Sequence, residues 1–183
     1  MKVHERIDGR LREFIAAQPM FFVATAPSGP VGHVNVSPKG MTGTFAVLDE
    51  LRVAYLDYHG SGAETTAHLR DNGRITIMFC AFQGPPNIVR LHGTGRSVAL
   101  DDPDFAALFD CFPAPPDTHG VRAIIDVAVR RVSDSCGYSV PLMSYEGDRD
   151  LLVRAHSRRT DDDLADYRRV KNSASIDGLP AFG

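Results

Sequence analysis

Two stretches hold the residue types that could meet an anion. HVNVSPKGMTG (33–43) sets one cation, Lys39, between Pro38 and Gly40 after an alternating run. VAYLDYHGSGAETTAHL (53–69) leads a strand-like run through Gly60, Ser61 and Gly62 into a helix-like run carrying Thr65 and Thr66. The first N–H groups of a helix have no intrahelical partner, and its dipole favours negative charge there. A turn without bulky side chains lets a phosphate reach those groups, and Lys39 would add charge if both strands share one sheet. Each feature also has a plain reading. Lys39 can be a solvated turn residue, and Ser61 with Glu64 can form an ordinary capping box. No nucleotide fingerprint is present, since Thr65 stands where GxGxxG needs its third Gly and no P-loop lysine follows.

A third stretch, SDSCGYSVPLM (133–143), puts Cys136 and Tyr138 in a loop. Tyr138 can stack on or hydrogen-bond to a planar ligand, and Cys136 can equally be a small packed hydrophobe. The seven histidines include no HExxH and no i, i+4 pair suited to a metal, so no metal site is expected. GYSVP lacks the second Gly of a nucleophile elbow. The acidic run Asp161–Asp163 reads as a solvated helix start.

The elements that must position these residues are mostly strands. Ile7, Leu11, Phe14 and Ile15 at helical spacing predict an amphipathic helix over 3–17, ended by Pro19. Strands are expected at 21–26, 32–37, around 45–48, 51–58, 74–82, 87–98 and 121–132, with Lys39 on the turn after the second. Gly93 and Gly95 point to a bulge. Short helices are expected near 62–72 and 103–112, the latter capped by Asp101 or Asp102, and a helical tail over 161–183. Hairpins dominate and the alternating βαβ rhythm is missing. An antiparallel barrel or sandwich with peripheral helices, in one domain over 1–183, is the resulting fold class.

Composition removes several function classes. The net charge of −3 with no Lys/Arg block gives no footprint for nucleic acid or an anionic membrane. The three cysteines form no CxxC and fit a reducing, cytoplasmic setting. The N-terminal stretch carries early acidic residues and no apolar run, so it does not read as a signal peptide.

Taken together, HVNVSPKG, the long segment from VAYLDYHGSGAETT to HGTGRSV, DSCGYSVPLM and KNSASIDGLP resemble flavin-binding proteins related to pyridoxamine 5′-phosphate oxidase. The resemblance covers roughly 20–145 and the tail near 171–180. It implies a mainly β, antiparallel, Greek-key split β-barrel that forms homodimers with FMN at the interface. Carried over by segment, Asn35, Val36, Ser37 and Lys39 would line the flavin edge and ribityl-phosphate, with Leu56 and Asp57 flanking ring or ribityl chain. Ser61, Gly62, Glu64 and Thr65 would hold the phosphate, and Arg90, Cys136 and Tyr138 would form a wall given by the partner subunit.

The departures shape the functional expectation. The oxidase has an Arg/Lys pair where Glu64 and Thr65 stand here, and an arginine near the position of His33. Its substrate-binding Arg and His have no counterpart in KNSASIDGLP. The expected function is therefore a flavin-dependent oxidoreductase acting on another small molecule, with the flavin carrying the chemistry. The alternatives are a non-catalytic flavin-binding or stress-related module, and a haem-handling split barrel.

Overall fold

The computed structural model describes residues 1–112 and 114–182. In chain order the elements are β1 (Lys2–His4), α1 (Gly9–Ala16), β2 (Met20–Thr25), β3 (Asn35–Gly40), β4 (Phe45–Val47), β5 (Arg52–Tyr58), α2 (Glu64–Asp71), β6 (Arg74–Cys80), β7 (Ile88–Ala99), α3 (Phe105–Phe109), β8 (Val121–Ser135), α4 (Leu151–His156) and α5 (Asp161–Lys171). The strands form one eight-stranded sheet in the order β3-β2-β6-β7-β8-β5-β4, with β1 added along β8. Every pairing is antiparallel. The sheet curls on itself as a split β-barrel, in which Lys39 of the edge strand β3 reaches Asp57 of β5 across the split.

Apolar residues on alternate positions of β2, β5, β6, β7 and β8 fill the barrel. Val23, Val53, Tyr55, Ile77, Leu91 and Ile125 are each fully buried there. Leu11 and Ile15 of α1 close one end. A second apolar layer lies outside β5, where Ala54, Leu56, Val98 and Ile124 pack against α3. The fold thus gives β5 two buried faces, which explains why VAYLDY is apolar at nearly every position.

Several boundaries differ from the sequence expectation for physical reasons. The N-terminal helix starts at Gly9 instead of residue 3, because the Asp8 carboxylate caps it by accepting from Leu11 N at 2.8 Å. Residues 2–4 pair with β8 instead. The C-terminal helical tail stops at Lys171. Beyond it Gly178 takes a left-handed φ of +79° and Ala174 bridges to Pro180, so 172–182 runs as an irregular strap. The helix α4 was not anticipated. β3 continues three residues past the expected strand end, carrying Pro38 and Lys39 within the strand. Proline is tolerated because β3 is an edge strand and needs no second ladder. The expected bulge is present where the β7–β8 register shifts between His92 and Gly93. Among the described residues no helix is long and apolar enough to cross a membrane.

Candidate functional site

The split between β3 and β5 carries no backbone ladder, so side chains bridge it. β3 turns Asn35, Ser37 and Lys39 inward, half-buried, and leaves Val36 and Pro38 exposed. β5 answers with Tyr55 and Asp57, both buried. Lys39 Nζ lies 3.3 Å from Asp57 Oδ1. Arg122, from the first turn of β8, donates its Nε to Asp57 Oδ2 at 2.7 Å and its Nη1 and Nη2 to the carbonyls of Gly60 (3.3 Å) and Gly62 (2.7 Å). Burial alone would raise the Asp57 carboxyl, but the charge of Arg122 and then Lys39 outweighs it and holds the group below the usual carboxylate range. One buried carboxylate therefore spans two cations, and the cluster keeps a net positive charge.

Asn35 is the hub of a neutral polar network beside that cluster. Its Nδ2 donates to Thr25 Oγ1 and Thr65 Oγ1, both at 3.1 Å, and its Oδ1 accepts from Ser37 Oγ at 2.9 Å. Thr25 Oγ1 also meets His68 Nδ1 at 2.9 Å. Two buried polar atoms border this network without a partner among the described residues, Tyr55 OH and His68 Nε2. Burial, then the nearby Asp57 charge, pushes the Tyr55 hydroxyl well up, while burial pushes His68 down. Both groups are thus held neutral, as hydrogen-bonding rather than charged residues. At the start of α2, Ala63 is the N-cap and makes no side-chain cap bond. The expected Ser61 cap does not form. Glu64 instead folds its carboxylate back over Gly62, where an added Cβ would meet Oε2 at 2.6 Å, and accepts from Ile176 N at 3.3 Å.

A second cluster ties the C-terminal strap to this region. His156 Nδ1 lies 2.6 Å from Asp117 Oδ2, and its Nε2 lies 3.0 Å from the His59 carbonyl. His59 Nδ1 faces Gly120 O at 2.9 Å, which leaves Nε2 to accept from Arg168 Nη1 at 2.7 Å. Burial pushes His59 down to about 4, so it is neutral at ordinary pH. Asn172 Nδ2 donates to Gly60 O at 2.9 Å, and the Arg122 guanidinium lies 4.8 Å from the Phe182 ring centre. The strap therefore packs on the same Gly60–Gly62 turn that Arg122 holds.

The sequence-predicted site residues divide into groups. Asn35, Ser37, Lys39, Asp57 and Thr65 meet at the split, and Gly62 and Glu64 border it. Ser61 is exposed on the adjoining turn. Val36 points outward from β3, and Leu56 points into the second apolar layer against α3, away from Asp57. Arg90 sits on the outer surface of β7, bonded to Ser135 Oγ at 3.1 Å, and Cys136 and Tyr138 follow β8 as exposed residues. Within one chain those three do not meet the Lys39 cluster. Arg122, Tyr55, Thr25, His68 and His59 are not among the site residues the sequence pointed to, and KNSASIDGLP carried the family resemblance without giving the site a strap residue. Arg122 had a visible cue, a lone guanidinium inside the apolar run VRAIIDVAV. The histidines had none, because their partners lie far away in sequence. Among the described residues no group of three His, Cys, Asp or Glu is placed to hold a metal.

These features define a split β-barrel whose unlinked edges carry a polar, net-cationic cluster. A sequence profile described as pyridoxamine 5′-phosphate oxidase matches residues 7–136. The chain is 38% identical over 193 residues to the pyridoxamine 5′-phosphate oxidase family protein ustO of Aspergillus flavus, covering 98% of this chain and 77% of that one. The chain belongs to the pyridoxamine 5′-phosphate oxidase family. Among solved structures it is similar in fold to a HupZ variant of Group A Streptococcus (TM-score 0.55, 23% identity, 70% of this chain and 99% of that chain). Similar folds also occur in the FAD binding protein of Mycobacterium smegmatis (TM-score 0.50, 12% identity, 73% and 96%) and an FMN-binding protein of Syntrophomonas wolfei (TM-score 0.50, 11% identity, 67% and 82%).

Proposed function

We propose that this protein is an FMN-binding flavoprotein and a cytoplasmic, homodimeric oxidoreductase acting on a small molecule other than pyridoxamine 5′-phosphate. The observation that carries this reading is the set of convergent polar groups at the split, with the unpartnered Tyr55 OH and His68 Nε2 buried beside it. Buried polar atoms are normally satisfied, and a heteroatom-rich ring or chain would supply partners for such groups. Family membership and the named flavin-binding proteins of the same fold support the choice of flavin.

The donor set suits the cofactor's chemistry. Asn35, Ser37 and Thr65 would meet the polar edge or ribityl chain, and Lys39 with Arg122 would supply positive charge for the phosphate. When bound, FMN would supply hydride and electron transfer. This chain's own residues bind and orient. Asp57 fixes both cations and Asn35 fixes two hydroxyls. His59 and His156 stay buried in a cluster of their own with Asp117, Gly120 and Arg168. Glu64 at the start of α2, in place of a cation, argues against a site tuned for a doubly anionic substrate beside the cofactor phosphate.

The test is direct. Protein purified from cells, or reconstituted with FMN, should show flavin absorption that returns as free FMN on denaturation. A colourless protein that takes up no FMN on titration would remove this reading. Turnover of NADH or NADPH by the loaded protein would separate an oxidoreductase from a binding module.

A further inference from the structure

A concavity of about 800 Å³ lies under the last turn of α1, bordering the far end of β3 at Gly40 and Met41. Its floor is aromatic. Phe21 meets Phe45 edge-on with ring centres 4.9 Å apart, and Phe45 meets Phe79 edge-on at 5.1 Å. Phe21 and Phe79 are almost fully buried, so they form a fixed base. The rim is soft, made by Met41, Met143 and Tyr145, the last two about half exposed. Methionine adapts its shape and packs well against aromatic rings.

The rim is also built with care. Met41 holds a left-handed φ of +74°, unusual for a residue with a side chain. Its turn is fixed by Thr44 Oγ1 donating to Met41 O at 2.8 Å and by Thr42 N donating to Asp148 Oδ2 at 2.8 Å. The segment carrying Met143 and Tyr145 crosses the mouth and is anchored by Met143 N donating to Phe82 O at 2.9 Å.

We propose that this cavity binds a small, predominantly aromatic molecule without positive charge. The volume lies in the range of small-molecule sites, and apolar walls that face empty space forfeit contacts which protein interiors normally make. Arg12 is the one charged side chain in the wall, and its Nη1 is committed to Val47 O at 2.7 Å. Gln18 is likewise committed to Phe14 O at 2.9 Å. No carboxylate lines the wall, so a cation would lose hydration without finding a counter-charge, while Arg12 keeps further N–H donors at the rim. The ends of this chain do not fill the space, since Lys2–His4 pair with β8 and residues 172–182 pack on the Gly60–Gly62 turn. The site does not depend on the flavin reading, although Phe21 also stacks edge-on against Tyr55 at 5.4 Å, so both sites share one wall.

Indole is a suitable neutral probe, with benzylamine, protonated at neutral pH, as its cationic counterpart. Full-length protein labelled at the methionine methyl carbons carries five reporters, Met1, Met20, Met41, Met78 and Met143. Indole should shift Met20, Met41 and Met143 saturably, leave Met1 and Met78 in place, and bind at least tenfold more tightly than benzylamine. Met143→Asp, at an exposed position, should weaken indole at least tenfold. Lys39→Ala should leave it unchanged, so that loss of FMN binding and loss of indole binding are read separately. No saturable shift, shifts led by Met1 or Met78, or an undiminished titration in both Met143→Asp and Tyr145→Asp would overturn the proposal.

Discussion

Asp57 concentrates the energetics of the site in one side chain. It is 1% exposed and answers two cations on strands that share no ladder. Replacing it with Asn would leave Arg122 buried without a counter-charge, and removal of one partner of such a pair costs about 3–5 kcal/mol. The urea midpoint of Asp57→Asn should fall accordingly, and a variant as stable as the parent would refute the account. Lys39 is different because its side chain is one quarter exposed and Arg122 still holds Asp57 without it. Lys39→Ala should cost stability only about 0–1 kcal/mol but weaken FMN by about 1–3 kcal/mol if the ammonium meets the phosphate. Calorimetric titration with FMN checks this, and an unchanged Kd would return Lys39 to a purely structural tie. Glu64 makes the opposite prediction. Its carboxylate lies where an anion would approach α2, so Glu64→Gln should tighten FMN by about 0.3–1 kcal/mol.

At the scale of elements, α4 and α5 are joined to the β5–α2 turn through the histidine cluster. His59 is neutral in the folded chain because burial depresses it from 6.5 to about 4. The unfolded chain then binds the extra proton first, so stability is full above about 6.5 and is lost as pH falls toward 4. The expected slope over that window approaches 1.4 kcal/mol per pH unit at most. Urea unfolding at several pH values measures it, and His59→Gln should flatten the slope. Gly120 is the weak point of the same element. A Cβ there would overlap His156 Nδ1 and Asp117 Oδ2, so Gly120→Ala should expel His156 and free α4 for proteolysis while the barrel stays folded. Resistance equal to the parent's would contradict the packing described here.

At the scale of the molecule, the inward Lys39 and the outward Arg90 pose a geometric problem. Pro38, Phe22, Met78 and Arg90 fall in one register row across four strands, on the outer surface of the barrel. Val34 and Val36 extend this surface at 70% and 62% exposure, and Tyr138 lies at 83%. An exposed apolar row on an edge strand marks an interaction surface. We propose this row as the contact surface of the homodimer, with Arg90 lying within it. Val36→Glu should shift the sedimentation profile to monomer and weaken FMN together, and an unaltered dimer would exclude this surface as the interface.

Much of the architecture could be read from pattern alone. Period-2 alternation marked the strands, hairpin spacing marked them as antiparallel, and Gly93 marked the bulge. Lys39 shows where that reading stops. Pro38 and Gly40 look like turn residues, yet an edge strand leaves one side of its backbone unladdered, so Pro and Lys continue within it. Leu56 shows the other limit. Apolar identity could not say which of two cores it enters, since β5 is covered on both faces.

The sequence by itself determined the residue types available, the strand order along the chain and the lack of any metal or nucleophile motif, because these follow from local periodicity and spacing. Only the tertiary structure decided that Asp57 joins Lys39 to Arg122, that Glu64 accepts from Ile176 in the strap, and that His156 ties α4 to the His59 carbonyl. Those pairings span 18 to 112 residues of chain. They depend on how the sheet closes, and side chains that meet only after closure leave no local trace in the sequence.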